Sequence, residues 1–363
     1  MARSQTILMV SLDYPPSPGG IAAHVYELCQ ALVAQGHIIH LLTKAGGLDH
    51  GQKNLTLHTL PPRLIGPVYG LTINRHINRL VGSLKPDIIH IHGMRPLEFL
   101  SPKPIPIAYT NHTSGYLKRI KKGGYRITKL MRLFQRPDLF LAPSEELLEI
   151  PFDIRAPKIF IPNGVVAERF TRNAAARTKL RRELGYSDND IVAIVTRRLV
   201  EKNGVVFLAK ATASIKNPRL KLLLIGDGPE AETVGRHLEQ NFTGRYKMLG
   251  SLTHDAIVPY YSAADLTILP SLMEATSISC LEAMAAGLPV VATHVGGLPV
   301  LVQPHENGLL CPPADPQALA QALDDALSLD LNHMGETSRQ KVEQNFTWSR
   351  IASITADAYR RAT

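Results

Sequence analysis

Two carboxylates, Glu274 and Glu282, stand eight residues apart in Glu-Ala-Thr-Ser-Ile-Ser-Cys-Leu-Glu, followed by Ala283-Met-Ala-Ala-Gly-Leu-Pro-Val-Val291. The spacing predicts one acid before a helix and one inside its first turns. The amides of Ala275, Thr276, Ser277 and Ile278 then fall at or near the helix N-terminus, where free N–H groups and the helix dipole favour acceptor oxygens. A carboxylate accepts hydrogen bonds from vicinal hydroxyls, so Glu282 suits a ribose and Glu274 a sugar. Ser279-x-x-Glu282 also fits a capping box, in which the Glu only closes the helix end.

A second group follows a predicted strand, Ile191–Thr196, in Thr196-Arg-Arg-Leu-Val-Glu-Lys-Asn-Gly204. Arg198 supplies a planar fork and Lys202 a mobile point charge, a pair suited to one diphosphate or to a solvated basic loop. Gly19-Gly20 opens the first predicted helix, and glycine there permits close approach of a phosphate or simply a tight loop. His112, in Tyr109-Thr-Asn-His-Thr-Ser114, follows another strand and is placed to hydrogen-bond a substrate hydroxyl. The chain holds 14 His, and His24, His90 and His92 are comparable candidates. Asp188-Asn-Asp190 has the Asp-x-Asp form used for divalent metals elsewhere. It precedes a strand rather than following one and reads as a turn, so no metal is expected.

These residues need elements to hold them. Thr6–Leu12, Ile38–Thr43, Ile88–His92, Ile105–Thr110 and Leu139–Ala142 are short apolar runs, with an amphipathic helix over about Ile21–Gln35. The pattern restarts with a basic helix at Ala174–Leu184 and strands at Ile191–Thr196, Lys221–Ile225, Leu266–Pro270 and Pro289–Ala292. A helix over about Ser277–Ala286 joins the last two. Such alternation predicts doubly wound α/β sheets, whose ligands bind beyond the carboxyl ends of the strands. The expected domains are 1–168 and 169–346, facing a central cleft, with a last helix at about 347–363 returning to the first.

The chain of 363 residues, 45% hydrophobic, can supply two cores. No apolar run approaches the roughly 20 residues needed to span a bilayer. Three widely spaced Cys imply neither a disulfide framework nor a zinc site, and a cytoplasmic setting is expected. The net charge of +9 lies wholly in residues 1–170, which hold 20 Lys+Arg against 11 Asp+Glu. Lys118, Arg119, Lys121, Lys122, Arg126, Lys129, Arg132 and Arg136 form an acid-free run. It reads either as an anionic membrane contact or as a solvated face. The sparse aromatics near it, Tyr116, Tyr125 and Phe134, argue against nucleic acid.

Taken together, these residues resemble the retaining GT-B-fold glycosyltransferases of family 4. The likeness rests on Tyr14-Pro-Pro16 with Gly19-Gly20, His112, Asn163-Gly-Val165, Arg198-Leu199 with Lys202, Gly226-Asp-Gly-Pro229, Ala264-Asp265 through Pro270-Ser271, the Glu274…Glu282 pair and Phe346-Thr-Trp-Ser349. The resemblance implies transfer of a sugar, with retained configuration and no metal or other cofactor. The donor is expected to be a UDP-sugar ahead of a GDP-sugar, and the acceptor a glycan, lipid or small molecule, in cell-envelope polysaccharide, glycolipid or related synthesis. It implies that Arg198 and Lys202 hold the donor diphosphate with Gly19, Gly20 and Gly226 nearby. Glu282 would hold the ribose, Glu274 and residues 275–278 the sugar, and backbone near Leu252 the base, with His112 near the reacting face. The chain departs from the family pattern at Arg197, where relatives carry Gly, at Ala275-Thr276-Ser277 in place of Gly-Phe-Gly, and at Val300 in place of Glu. A non-hydrolysing nucleotide-sugar epimerase and a non-catalytic sugar-nucleotide binding module share the architecture and stand as alternatives.

Overall fold

The computed structural model describes residues 4–17, 19–44, 46–47, 51–61, 67–101, 104–112, 116, 120 and 123–362. The chain divides into two compact units, Met1–Gly164 with Trp348–Thr363, and Val165–Thr347.

In the first unit, strands β1 (Thr6–Ser11), β2 (Ile38–Lys44), β3 (Leu55–Leu60), β4 (Ile88–His92), β5 (Ile107–Thr110), β6 (Leu139–Ala142) and β7 (Lys158–Phe160) form a parallel sheet. Their order is β3-β2-β1-β4-β5-β6-β7. β1, β5 and β6 are mostly apolar and buried, as expected for strands covered on both faces, and β4 is buried with His90 and His92 among its isoleucines. Edge strand β3, Leu-Thr-Leu-His-Thr-Leu, is only partly buried. The helix Gly20–Ala34 buries Val25, Leu28, Cys29 and Leu32 against the sheet. The helix Trp348–Arg360 joins the same core through Trp348, Ile351, Ala352 and Tyr359, large side chains among them contributing roughly 1.5–3 kcal/mol each.

The second unit repeats the scheme with β8 (Ile191–Thr196), β9 (Leu220–Ile225), β10 (Tyr246–Met248), β11 (Leu266–Leu269), β12 (Val290–Thr293) and β13 (Gly308–Cys311), in the order β10-β9-β8-β11-β12-β13. Along β8, Val192 and Ile194 enter one core while Ala193 and Val195 enter the other, the period-two division of a sheet packed on both faces. Asp265 pins the entry to β11. It accepts from the Val192 amide at 2.7 Å and pairs with Arg177 and Arg181 at 2.6 and 3.1 Å. The Ala264-Asp265 part of the motif is therefore scaffolding.

Each sheet has one point where the winding reverses, between β1 and β4 and between β8 and β11. Doubly wound sheets bind ligands at such points. Among the described residues, no helix is long and apolar enough to cross a membrane.

Candidate functional site

At the reversal point of the second unit, the loop after β8 carries Arg197 to Asn203 and the loop after β11 carries Ser271 to Ser277. The two loops are tied together, because the Leu272 amide donates to the Lys202 carbonyl at 2.9 Å. The loop after β9 lies directly beneath. A Cβ at Gly226 would sit 1.9 Å from the Arg197 carbonyl oxygen and one at Gly228 2.2 Å from that of Leu199, so these glycines are demanded by backbone contact. The Leu199 amide donates to the Asp227 carbonyl at 3.0 Å. Arg198 and Lys202 project from this braced loop with exposed side chains, and neither has a side-chain partner among the described residues.

Glu274 and Glu282 differ from that pair in being engaged. Glu274 forms an ion pair with Arg197, and the Ser271 hydroxyl lies 3.5 Å from the same oxygen, Oε2. Glu282 lies within the helix Ile278–Ala285 and is 5% exposed. His254 donates to its Oε1 at 2.5 Å and the Tyr261 hydroxyl to its Oε2 at 2.9 Å. The capping-box reading is thereby corrected. The N-cap is Ser277, whose hydroxyl accepts from the Cys280 amide at 3.4 Å, and Glu282 lies too far along the helix to reach it. Ala275, Thr276 and Ser277 lead into this N-terminus, and Ile278 is its first helical residue. Leu252 is half-buried in the loop after β10, one residue before Thr253, which caps the helix His254–Ala263.

The bond to Glu282 raises the pKa of His254 above its usual value. Burial and Arg169 oppose the shift, and Asp255 adds to it. Arg169 itself pairs with Asp255, and the Phe170 ring lies 5.8 Å from both His254 and Tyr261. His254 and Tyr261 escape sequence reasoning because only the tertiary fold brings them to Glu282. Their seven-residue separation on one helix face was the available signal. Asp190, meanwhile, closes a turn by accepting from the Ser187 amide and hydroxyl at 2.7 and 2.9 Å, and it faces Lys221 at 3.7 Å.

At the reversal point of the first unit, Gly19 and Gly20 follow β1 and open the helix Gly20–Ala34. Gly19 has φ +131°, a conformation that other residues rarely adopt. A Cβ at either glycine would meet nothing within 4 Å, and the helix has no side-chain cap. His92 ends β4 and His112 follows β5. His92 Nδ1 and His112 Nε2 are hydrogen-bonded at 2.8 Å, and the His112 and His24 ring centres lie 4.7 Å apart. His24 Nδ1 donates to Asn163 Oδ1 at 2.7 Å, and His90 is bonded to Tyr359 and Thr110, each at 2.6 Å. One nitrogen each of His24, His92 and His112 lies within 4.8 Å of the others. Burial lowers the pKa of all four rings, His24 to about 4 and His90 to about 3, with His92 and His112 well below the usual value. This cluster is neutral at physiological pH.

Of the basic run, Lys118, Arg119, Lys121 and Lys122 lie outside the described residues. Arg126, Lys129 and Arg132 are exposed on the helix Tyr125–Phe134, with Tyr125 and Met131 also exposed. Arg136 leaves the patch, since its guanidinium donates to the carbonyls of Leu97, Glu98 and Leu100 at 3.0–3.1 Å. Tyr116 and Phe134 are buried in the core.

Comparison with known proteins agrees with this architecture over nearly the whole chain. The family Glycosyl transferases group 1 matches residues 176–345, and Glycosyltransferase Family 4 matches residues 18–169. The phosphatidylinositol N-acetylglucosaminyltransferase gpi3 subunit of Schizosaccharomyces pombe is 27% identical over 97% of this chain and 79% of its own. The sucrose-phosphate synthase of Thermosynechococcus elongatus superposes with a TM-score of 0.79 at 25% identity, covering 98% of each chain. The Anabaena protein HepE, solved with UDP and glucose, superposes with a TM-score of 0.78 at 20% identity over 98% of this chain and 100% of its own. With both units matched in sequence and in topology, the chain belongs to glycosyltransferase family 4 and is a glycosyltransferase of the GT-B type.

Proposed function

We propose that the chain moves a sugar from a UDP-sugar to an acceptor hydroxyl with retained anomeric configuration and without a metal ion. The observation that carries this reading is the pair of exposed cations, Arg198 and Lys202, without side-chain partners among the described residues, on a braced loop beside the half-buried Glu274 and the buried Glu282 at the reversal point of the second sheet. A diphosphate neutralises such a pair. The helix N-terminus at Ser277 and the carboxylates of Glu274 and Glu282 then suit the sugar and ribose. UDP is favoured over GDP by the fold likeness to HepE, which was solved with UDP.

In this mechanism the bond between C1 and the diphosphate oxygen breaks as the acceptor oxygen bonds to C1 from the same face. The acceptor proton passes to the departing diphosphate. Arg198 and Lys202 neutralise the charge that builds there, an interaction stronger in the transition state than before it. His112, neutral, orients a hydroxyl rather than ionising. Metal independence is supported by Asp190, whose carboxylate is committed to the Ser187 turn and to Lys221. On the acceptor side, the exposed Tyr125, Arg126, Lys129, Met131 and Arg132 mix apolar and basic groups as an anionic membrane contact requires. The S. pombe relative is named for a phosphatidylinositol acceptor. Both observations support a lipid-linked acceptor.

Calorimetry of UDP, GDP and ADP on the wild type and on Glu282→Ala tests the donor site. Binding of UDP that is weakened in the variant supports it, and binding of none of the three refutes it. Co-sedimentation with anionic and neutral vesicles tests the membrane face, and equal binding to both removes the electrostatic version.

A further inference from the structure

We infer that Arg197 determines which donor sugar the site accepts, by occupying one of the two oxygens of Glu274. This rests on the donor site proposed above and goes beyond it.

Arg197 follows β8 directly. Its side chain is 8% exposed, and that of Glu274 16%. Nη2 donates to Glu274 Oε2 and, at 3.0 Å, to Asn203 Oδ1, while Nη1 lies 3.4 Å from the Ser277 hydroxyl. Asn203 is itself fixed, donating from Nδ2 to the Arg198 carbonyl at 2.7 Å. The guanidinium is thus held by three side chains from two loops. Arg197 thus reaches the segment that opens the helix Ile278–Ala285, at the Ser277 hydroxyl.

The consequence is chemical. A bare carboxylate takes a vicinal diol, one hydroxyl on each oxygen. Here Oε2 already has Arg197 and the nearby Ser271 hydroxyl, leaving Oε1 for a single hydroxyl. Of the five N–H donors of Arg197, the one on Nε and one on Nη1 are not used by these contacts. The site therefore selects a sugar that offers one hydroxyl beside an accepting oxygen, such as an N-acyl carbonyl or a sugar carboxylate, over one that offers only a diol. Arg197 is a specificity residue that acts on the sugar both directly and through Glu274, and it leaves the nucleotide alone.

The test is calorimetry of UDP, GDP, UDP-glucose, UDP-N-acetylglucosamine and UDP-glucuronate on the wild type, Arg197→Ala and Arg197→Lys. Arg197→Lys keeps the charge but loses the fork, and it serves if the alanine variant folds poorly. The wild type is expected to bind one of the two carbonyl-bearing sugars more tightly than UDP-glucose. In either variant that preference should fall by about tenfold while the affinity for UDP changes by less than about threefold. The response of UDP-N-acetylglucosamine against that of UDP-glucuronate identifies which oxygen is read. Unchanged ratios among the sugars in both variants, with UDP still bound, would overturn the role of Arg197 alone. So would a wild type that prefers UDP-glucose. Binding of neither UDP nor GDP to the wild type would overturn the donor site and this inference with it.

Discussion

The two reversal points occupy the same place in two similar sheets and hold opposite chemistry. In the first unit, His24, His90, His92 and His112 are packed ring against ring, and burial keeps them neutral. In the second unit, charge is concentrated in the Arg197–Glu274 pair, the partnered Glu282 and the exposed Arg198 and Lys202. One topology thus offers a neutral hydrogen-bonding surface in one copy and an ionic one in the other, the difference lying in the side chains at the strand ends, loops and helix starts. The first suits a hydroxyl, and the second suits a diphosphate.

The largest break of this comparison comes from the free cations. Lys202→Ala or Arg198→Ala should lower kcat by about 10²–10³-fold, since each removes charge stabilisation at the leaving group. The melting temperature should hardly move, because both side chains are exposed and neither has a partner among the described residues. Steady-state kinetics beside thermal denaturation checks both halves of the statement.

Acid should separate the two units next. His24 and His90 have folded pKa values of about 4 and about 3 against an ordinary 6.5. Below 6.5 the unfolded chain binds protons that the folded first unit refuses, so stability is present above that value and lost as pH falls toward 4. The loss should be on the order of a few kcal/mol. His254 in the second unit is shifted the other way. Its bond to Glu282 is fully present below pH 6.5 and is lost as pH rises through its raised pKa. Hydrogen exchange at pH 7 and pH 5 should show the first unit opening while the second does not.

Much of the frame was legible in sequence, because strands covered on both faces are mostly apolar, and Ile88–His92, Leu139–Ala142 and Ile191–Thr196 are found as read. Strands β3, β7, β10 and β13 escaped, being short or half-polar segments outside the sheet centres. The Glu274…Glu282 block was visible because both acids flank one helix start. Their partners were not. Arg197 lies 77 residues from Glu274, and His254 lies 28 from Glu282, so only the sheet order brings them together. Long separation also hid why position 226 is glycine, which is the Arg197 carbonyl that leaves no room for a Cβ.

A smaller effect sharpens the role of Glu282. In the donor site proposed above, His254 competes with a ribose hydroxyl for Glu282, and its protonated form holds the carboxylate more firmly. Nucleotide affinity should therefore rise several-fold as pH passes upward through the His254 pKa, with Arg169 and Asp255 the other charges facing it. His254→Ala should flatten that slope in a pH series of titrations. The smallest effect concerns metal. Chelation followed by Mn²⁺ or Mg²⁺, and Asp190→Asn, should leave turnover unaltered, and rescue by either ion would contradict the metal-free reading.

The most direct test of the contrast is UDP binding by calorimetry to the wild type, to the Arg198→Ala/Lys202→Ala double variant and to His112→Ala. The account predicts that UDP binding is lost in the double variant and kept in His112→Ala. Retained binding in the double variant, or loss confined to His112→Ala, would contradict it.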